Sequence, residues 1–483
     1  MQYIWEEKYK VKIYDVGFDG RLKLASLFNY LQEVATNHAN AIGIGKESLE
    51  AGQFYWVLSR MHVEIYDTPK FTDQVRVVTW PKTIDKIYAI RDFEVYGNDG
   101  QIIANGTSSW LILDAVTLKP QRPKVLADGF KTVAMSAIKE VAKKIKPLKE
   151  VTVSHIQRAH YSHIDVNNHV NNAKYIEWIC DVFDGRFFKL KAIKDIEINY
   201  VSQVKWQEEI LIRYKTNYEG NGSLIYVDGY NKNTDTVAFT AIVQIEDYLT
   251  ILREDQGKNQ NMINFVNGYP VIKSERAGEK GLLIQGISDE PWIYFSCKEP
   301  KTFRDLLGYC SNQDLYYANL EPWMKDILLE DRQVHWEMSC IMLVLLDRVV
   351  VAKNQLESGF RLDVLTEENV AFIFENSKYS EFTSPAYIKH RIQQGIGFGI
   401  YDGNELLAWV LTHDDGAIGF LNVLEKYRRR GFGQVLTTEI IEAVRGLGQV
   451  PFVCIEKDNH KSLSLAKKLG YVPSREIAWV KVL

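Results

Sequence analysis

One succession of elements occurs twice in the first half of this chain, and it restricts the fold more than any single motif. In the first copy, Tyr9–Tyr14 alternates like a strand and Asp15–Gly20 is turn-rich. Leu22–Ile42 then reads as a helix whose Leu24, Leu27, Phe28, Leu31, Val34 and Ala35 form one apolar stripe. Strands follow at Tyr55–Ile65, Gln74–Lys82, Ala89–Tyr96 and Ile102–Asp114, with Asn98-Asp-Gly100 as a tight turn. The second copy runs from a strand at Val151–Ile156 through a polar loop to a helix over Ala173–Phe183. Its strands lie at Ala192–Val201, Glu209–Asn217, Ser223–Asn231 and Val237–Glu246. Such internal duplication predicts a two-copy α+β architecture.

The copies differ where chemistry is concentrated. Aligning the helices sets Leu22 against Val170, Ala25 against Ala173 and Phe28 against Ile176. Arg21 then falls opposite His169, and Gly17 opposite Asp165. Only the second copy carries Asp165, Asn167 and His169 at i, i+2 and i+4, just ahead of a helix for which Asn171 or Asn172 is the N-cap. Free N–H groups and the positive end of a helix dipole hold a developing oxyanion. An imidazole titrating near neutrality is a natural general base, so His169 takes that role. Asn167 positions a water or a carbonyl, and Asp165 orients its neighbours. The plainer alternative is a turn whose Asx side chains cap a helix.

The segment His163–Trp178 resembles the acyl-acyl-carrier-protein (acyl-ACP) thioesterases, in which D-x-N-x-H-V-N-N-x-x-Y opens the central helix of a hotdog fold. Trp56–His62 and Thr107–Asp114 are similar to strand segments of that family. The resemblance covers roughly residues 1–250. It implies a tandem hotdog with one active site, hydrolysis of a fatty acyl thioester without a cofactor, and an acyl carrier protein as partner. The first copy is then free to supply the acyl pocket. Plant-type members carry a Glu-Cys pair that aligns with Val201-Ser202, so the carboxylate is missing there; either Glu197, Asn199 or Gln203, taken as sharing a strand face with Val201, substitutes for it, or a bacterial-type site manages without one. His38 and His62 read as structural, Arg60 as a solvated residue, and Cys180 as core. Val133–Ile145 reads as a crossover helix with Lys139, Lys143, Lys144, Lys146 and Lys149 outward, a basic face suited either to solvent or to an acidic carrier.

The pattern changes after Glu246. Arg253–Asn261 is polar and reads as a linker. Further on, the strands Glu405–Thr412 and Ala417–Val423 flank a turn at Asp414–Gly416. They lead into Tyr427-Arg-Arg-Arg-Gly-Phe-Gly-Gln434 and an apolar helix over Val435–Val444. A strand feeding a basic, glycine-punctuated loop into a helix makes a pyrophosphate cradle. This resembles the GNAT acyltransferases, whose loop reads Q/R-x-x-G-x-G/A. Arg428, Gly431 and Gly433 match that loop, and Val453–Ser462 and Lys468–Tyr471 match the last strand and terminal turn. Tyr387–Ile392 with Gly399–Gly403 adds similarity to the glycine N-acyltransferase-like branch. The resemblance implies acyl-CoA or acetyl-CoA as co-substrate, bound by Arg428, Arg429, Arg430, Gly431, Phe432, Gly433, Asn459 and Ser462, and a small amine as acceptor. Ala466 stands where the family often has an acid-supplying Tyr; His413, Asp414 and Glu456 are candidate bases.

The resulting expectation is α+β: hotdog units over 1–135 and 150–250, a diverged acyltransferase half over 262–354 and a GNAT α/β domain over 355–483. A thioesterase joined to an N-acyltransferase is the leading reading. Its alternatives are an acyltransferase whose hotdog half only binds acyl chains, and an acyl-CoA-sensing module. A net charge of −4 gives no electrostatic footprint for nucleic acid. Five scattered cysteines argue for reduced thiols, no structural zinc and a cytoplasmic address. No apolar run is long enough to span a bilayer.

Overall fold

A computed structural model describes residues 3–123, 131–151, 153–183, 185, 187–219, 222–278, 280–346, 349, 355–377 and 380–483. They form two compact units, Met1–Asp247 and Tyr248–Leu483.

In the first unit, the first copy supplies β1 (Trp5–Lys10), α1 (Leu24–Ala41), α2 (Lys46–Ala51), β2 (Phe54–Ile65), β3 (Gln74–Asp85), β4 (Tyr88–Tyr96), β5 (Ile102–Asp114) and the short β6 (Pro120–Gln121). The second supplies β7 (Val153–Arg158), α3 (Asn172–Cys180), α4 (Phe187–Leu190), β8 (Lys191–Tyr200), β9 (Glu209–Glu219), β10 (Gly222–Asn231) and β11 (Thr236–Asp247). All the strands join one 11-stranded sheet, ordered β1-β3-β4-β5-β2-β8-β11-β10-β9-β7 with β6 beside β5. The antiparallel pair β2–β8 is the seam between the copies, Met61 facing Ile198. This is the tandem hotdog arrangement. The α1 residues Leu27, Phe28, Leu31 and Val34 share one core with Ala173, Tyr175, Ile176 and Ile179 of α3. Burying each large apolar side chain contributes ~1.5–3 kcal/mol. The second helix stops at Cys180, with Asp181 as C-cap, short of the expected Phe183.

The outer face of this sheet is where expectation and structure part. Residues 131–150 form no helix. They lie as an irregular strap whose backbone groups are bound by side chains of the strands. The Ala137 amide donates to Asp92 at 2.9 Å, the Ile145 amide to Asn199 Oδ1 at 2.8 Å and the Leu148 amide to Asp228 at 2.8 Å. Trp80 Nε1 donates to the Met135 carbonyl and Arg60 to that of Ala142. These bonds replace the helical ladder, and the buried Ile138, Ala142 and Ile145 anchor the strap while all five lysines stay exposed. Arg60 is therefore a strap residue, stacked on Tyr88, and not a solvated one. On the same outer face at the seam, His62 Nε2 lies 2.6 Å from Asp195 Oδ2. Burial opposes charge on His62, but Asp195 holds its pKa above the ordinary value. His62, Glu64 and Asp195 bring ligand-type atoms within 4.8 Å of one another, a trio that no sequence spacing announces.

The second unit opens with α5 (Tyr248–Arg253) and α6 (Gln256–Gly268). The expected linker is thus helical. Its amides are buried and paired: Gln260 donates to Asn264, Asn261 to Asn319 and Asn259 to the Leu252 carbonyl. Next come β12 (Val271–Ala277), β13 (Gly281–Ile287), β14 (Pro291–Ser296), α7 (Pro300–Leu307), β15 (Tyr316–Leu320), α8 (Pro322–Leu328) and β16 (Val334–Val344). After an additional strand β17 (Arg361–Val364), the same order recurs in α9 (Val370–Glu375), α10 (Pro385–Gln394), β18 (Gly397–Asp402), β19 (Glu405–Thr412), β20 (Ile418–Val423), α11 (Phe432–Gly446), β21 (Phe452–Glu456), α12 (His460–Lys468) and β22 (Val472–Val482). The final strands are exchanged: β22 lies between β15 and β16, and β16 between β22 and β21. In the first of these copies the strands flanking the crossover helix, β14 and β15, pair in parallel. In the second, β20 and β21 belong to different sheets. Among the described residues, no helix is long and apolar enough to cross a membrane.

Candidate active site

The loop before α3 is built by its own side chains. One oxygen of Asp165, Oδ1, accepts from the Asn167 amide at 2.8 Å and from the His169 amide at 3.4 Å. The Asp165 amide donates to the His169 carbonyl at 2.8 Å. Asn168 takes φ 63°, a left-handed conformation that Asn tolerates. Asn171 is the N-cap, its Oδ1 accepting from the Ala173 amide at 2.9 Å. The Lys174 amide donates to the Asn171 carbonyl. The Asn172 amide is left, among the described bonds, as the first-turn N–H without an acceptor.

Asp165, Asn167, His169 and Asn172 all line one cavity of about 1320 Å³, larger than the ~300–1,000 Å³ of ordinary small-molecule pockets. Its remaining walls come largely from the first copy: Ala35, Thr36 and Ala39 of α1, Phe54–Leu58 of β2, and Ile90 and Arg91 of β4. No described bond joins the imidazole of His169 to the side chains of Asp165 or Asn167. The Asp165 carboxylate holds backbone amides, so its orienting action passes through the loop. Burial lowers the His169 pKa below its ordinary value, although the Asp165 charge works the other way. The shift favours the neutral form, the one a base requires.

Two of the substitutes for the missing carboxylate are excluded. Ile198 lies in the core, so Glu197 and Asn199 point outward, where both accept from the strap. Strand β8 ends at Tyr200, so alternation does not extend to Val201 and Gln203. Val201, Ser202 and Gln203 line the cavity, with the Ser202 hydroxyl donating to the Val237 carbonyl at 2.9 Å. Cys180 packs against the core, and burial pushes its thiol up to about 12. His38 is fully buried under Trp5. Sequence reasoning missed its partner Arg91, although Arg91 falls in phase with Phe93 and Val95 on the apolar face of β4.

In the second unit, the residues expected to hold acyl-CoA gather at the start of α11 and of α12. Gly431 opens α11 at φ 82° with no capping side chain, leaving first-turn amides for a ligand. Arg428 binds Glu425 and the Val423 carbonyl. Arg430 is committed to Glu357 and to the faces of Phe360 and Phe432. Phe432 is itself core, and Asn459 caps α12 by accepting from the Ser462 amide at 3.2 Å. Arg429 sits at φ 65° beside Gly431, while Gly433 follows in the first turn of α11. Burial, aided by Arg391, lowers His413 to about 4. Asp414 accepts from Ser288 and Tyr387.

The comparisons with known proteins also distinguish the two parts of the chain, although the second thioesterase match runs past Asp247 to residue 265. Residues 2–128 match the acyl-ACP thioesterase N-terminal domain and 145–265 its C-terminal domain, while 396–480 match the FR47-like protein family. The chain is similar to oleoyl-acyl carrier protein thioesterase 2 of Arabidopsis thaliana, 26% identical over 48% of this chain and 67% of that one. It is also similar to palmitoyl-acyl carrier protein thioesterase of Gossypium hirsutum, 29% identical over 37% and 46%. It therefore spans between about half and two thirds of the length of these relatives. Among solved structures, an acyl-ACP thioesterase from Bacteroides thetaiotaomicron aligns at 26% identity and a TM-score of 0.44, covering 50% of this chain and 98% of that one. The 12:0-ACP thioesterase from Umbellularia californica aligns at 20% and 0.46, covering 51% and 94%. Over residues 2–128 and 145–265 the chain belongs to the acyl-ACP thioesterase family, and at 396–480 it carries an FR47-like, GNAT-like domain.

Proposed function

We propose that the first unit hydrolyses fatty acyl thioesters presented by an acyl carrier protein. The observation that carries this reading is that the Asp165–His169 loop and the start of α3 open on a cavity walled mainly by the first copy. The acyl chain occupies that cavity. The Asn172 amide polarises the thioester carbonyl. His169 takes a proton from a water that Asn167 positions, and the water oxygen bonds to the carbonyl carbon. The C–S bond then breaks, and the proton on His169 passes to the departing thiolate, leaving a free carboxylic acid. Asp165 keeps the loop in shape. The names of the relatives, which specify acyl carrier protein, support the same partner here.

For the FR47-like domain the proposal is transfer of an acyl group from acyl-CoA or acetyl-CoA to a small amine. Gly431, Phe432 and Gly433 would offer amides to the pyrophosphate, with Arg428 and Arg429 alongside. The amine nitrogen displaces the CoA thiol, a step for which orientation is the chief requirement.

The test is full-length protein offered panels of acyl-ACP and acyl-CoA, with and without mixed amines, read by mass spectrometry. Free acid must form and must be lost in His169→Ala. Undiminished release by that variant would remove the thioesterase reading. The Asp165 carboxylate being engaged by backbone amides favours one rival, a hotdog half that binds acyl chains without cleaving them, and the same variant separates the two.

A further inference from the structure

Arg91 is a charge on the wrong side of a sheet. It faces inward on β4, is 7% exposed, and lines the acyl cavity. Its Nη1 donates to His38 Nδ1 at 2.9 Å and to Thr79 Oγ1 at 3.1 Å, both neutral acceptors. Its remaining donors, on Nε and Nη2, have no acceptor among the described residues, and no carboxylate neighbours them. Buried charges are ordinarily paired, so an arginine left facing a cavity shapes what enters it.

Its position is set by register. Arg91 faces Ser108, Ser108 faces Met61, and Met61 faces Ile198, two residues before Tyr200 at the catalytic end of β8. Three strand spacings, ~14 Å along the sheet, therefore separate Arg91 from the strand beside the loop of His169. Behind Arg91, His38 and Thr79 are both fully buried and do not line the cavity, which reaches β3 at Pro81, the residue facing Arg91.

We propose that Arg91 ends the acyl cavity as a polar stop that sets the longest methyl-ended chain the site accepts. A methyl pressed onto the guanidinium would strip solvent from charged donors and supply no acceptor. That loss exceeds what burying the extra methylenes returns. This inference rests on the thioesterase reading and names the length determinant of the same site.

The test compares wild type, Arg91→Met and Arg91→Gln, all full length, on a saturated acyl-ACP series and on ω-hydroxyacyl-ACPs of matching length. In Arg91→Met, chains two carbons beyond the wild-type optimum should gain about tenfold or more in kcat/KM relative to that optimum. On those longer chains an ω-hydroxyl should speed the wild type and not the variant. A length profile that is unmoved, or an ω-hydroxyl effect equal in both proteins, overturns the stop. So does a wild-type preference for ω-carboxyl over ω-hydroxyl chains, which would make Arg91 an anion site. If thermal melting shows Arg91→Met unfolded, Arg91→Gln carries the same comparison. Affinities for non-hydrolysable thioether analogues of the same acyl-ACPs must shift in length likewise. They decide the stop even if the wild type hydrolyses nothing, an outcome that would sink the thioesterase reading by itself.

Discussion

Gly17 and Asp165 occupy the same place in two copies of one loop. The amide of each donates at 2.8 Å to the carbonyl four residues on, that of Arg21 and that of His169. The correspondence continues around them: Val16 bridges Leu22 as Ile164 bridges Val170, and Gly20 at φ 73° matches Asn168 at φ 63°. The two loops share this backbone arrangement, and of the two residues only Asp165 brings a carboxylate, which accepts from the amides of 167 and 169.

Those two bonds predict separable effects at Asp165. Asp165→Asn keeps an Oδ1 acceptor for both amides, whereas Asp165→Ala leaves them without it. Thermal or denaturant melting should show the alanine variant less stable by about 0.5–1.5 kcal/mol and the asparagine variant close to wild type.

The low pKa of His169 has a sign that can be checked. Burial disfavours the imidazolium, so the base is already neutral below its ordinary pKa of 6.5. The kcat/KM for acyl-ACP should rise with pH through a midpoint below 6.5 and level off at neutrality. A midpoint above 6.5 would contradict the burial described. Replacing His169 by Ala should cost about 10²–10⁴ in rate.

The strap offers a control on the opposite face of the sheet. Asn199 accepts from the Ile145 amide and donates to the Lys143 carbonyl at 2.9 Å. Asn199→Ala should lower stability by about 1–3 kcal/mol, because a buried amide loses its acceptor. Hydrogen exchange should quicken over 137–148, and the pH midpoint of hydrolysis should stay in place.

In the second unit, Gly431 holds φ 82° with open space where a Cβ would stand. Gly431→Ala should therefore cost about 1–2 kcal/mol from backbone strain, with no steric clash. Calorimetry with CoA should show weakened binding if the α11 amides hold the pyrophosphate; unchanged affinity would place the ligand elsewhere.

Much of this was legible from sequence because it rests on local patterns. The α1 stripe, the offset of the two copies and the Gly-rich turn into α11 follow from periodicity and turn chemistry. The strap was not legible: Val133–Ile145 has helical spacing, and what overrides it is a set of polar side chains scattered from Arg60 to Asp228. The amide-rich start of the second unit misled for the same reason, since Asn261 finds its partner at Asn319.

The order of residues alone determined that one succession of elements occurs twice, which copy holds Asp165, Asn167 and His169, and which glycine-rich loop leads into α11. These follow from bonds and faces within a few residues of one another. Only the tertiary structure decided that Glu197 and Asn199 serve the strap, that Arg430 is held by Glu357, and that Arg91 lines the cavity. A side chain's partner depends on which strands become neighbours, and the β2–β8 seam sets that neighbourhood across more than a hundred residues of chain.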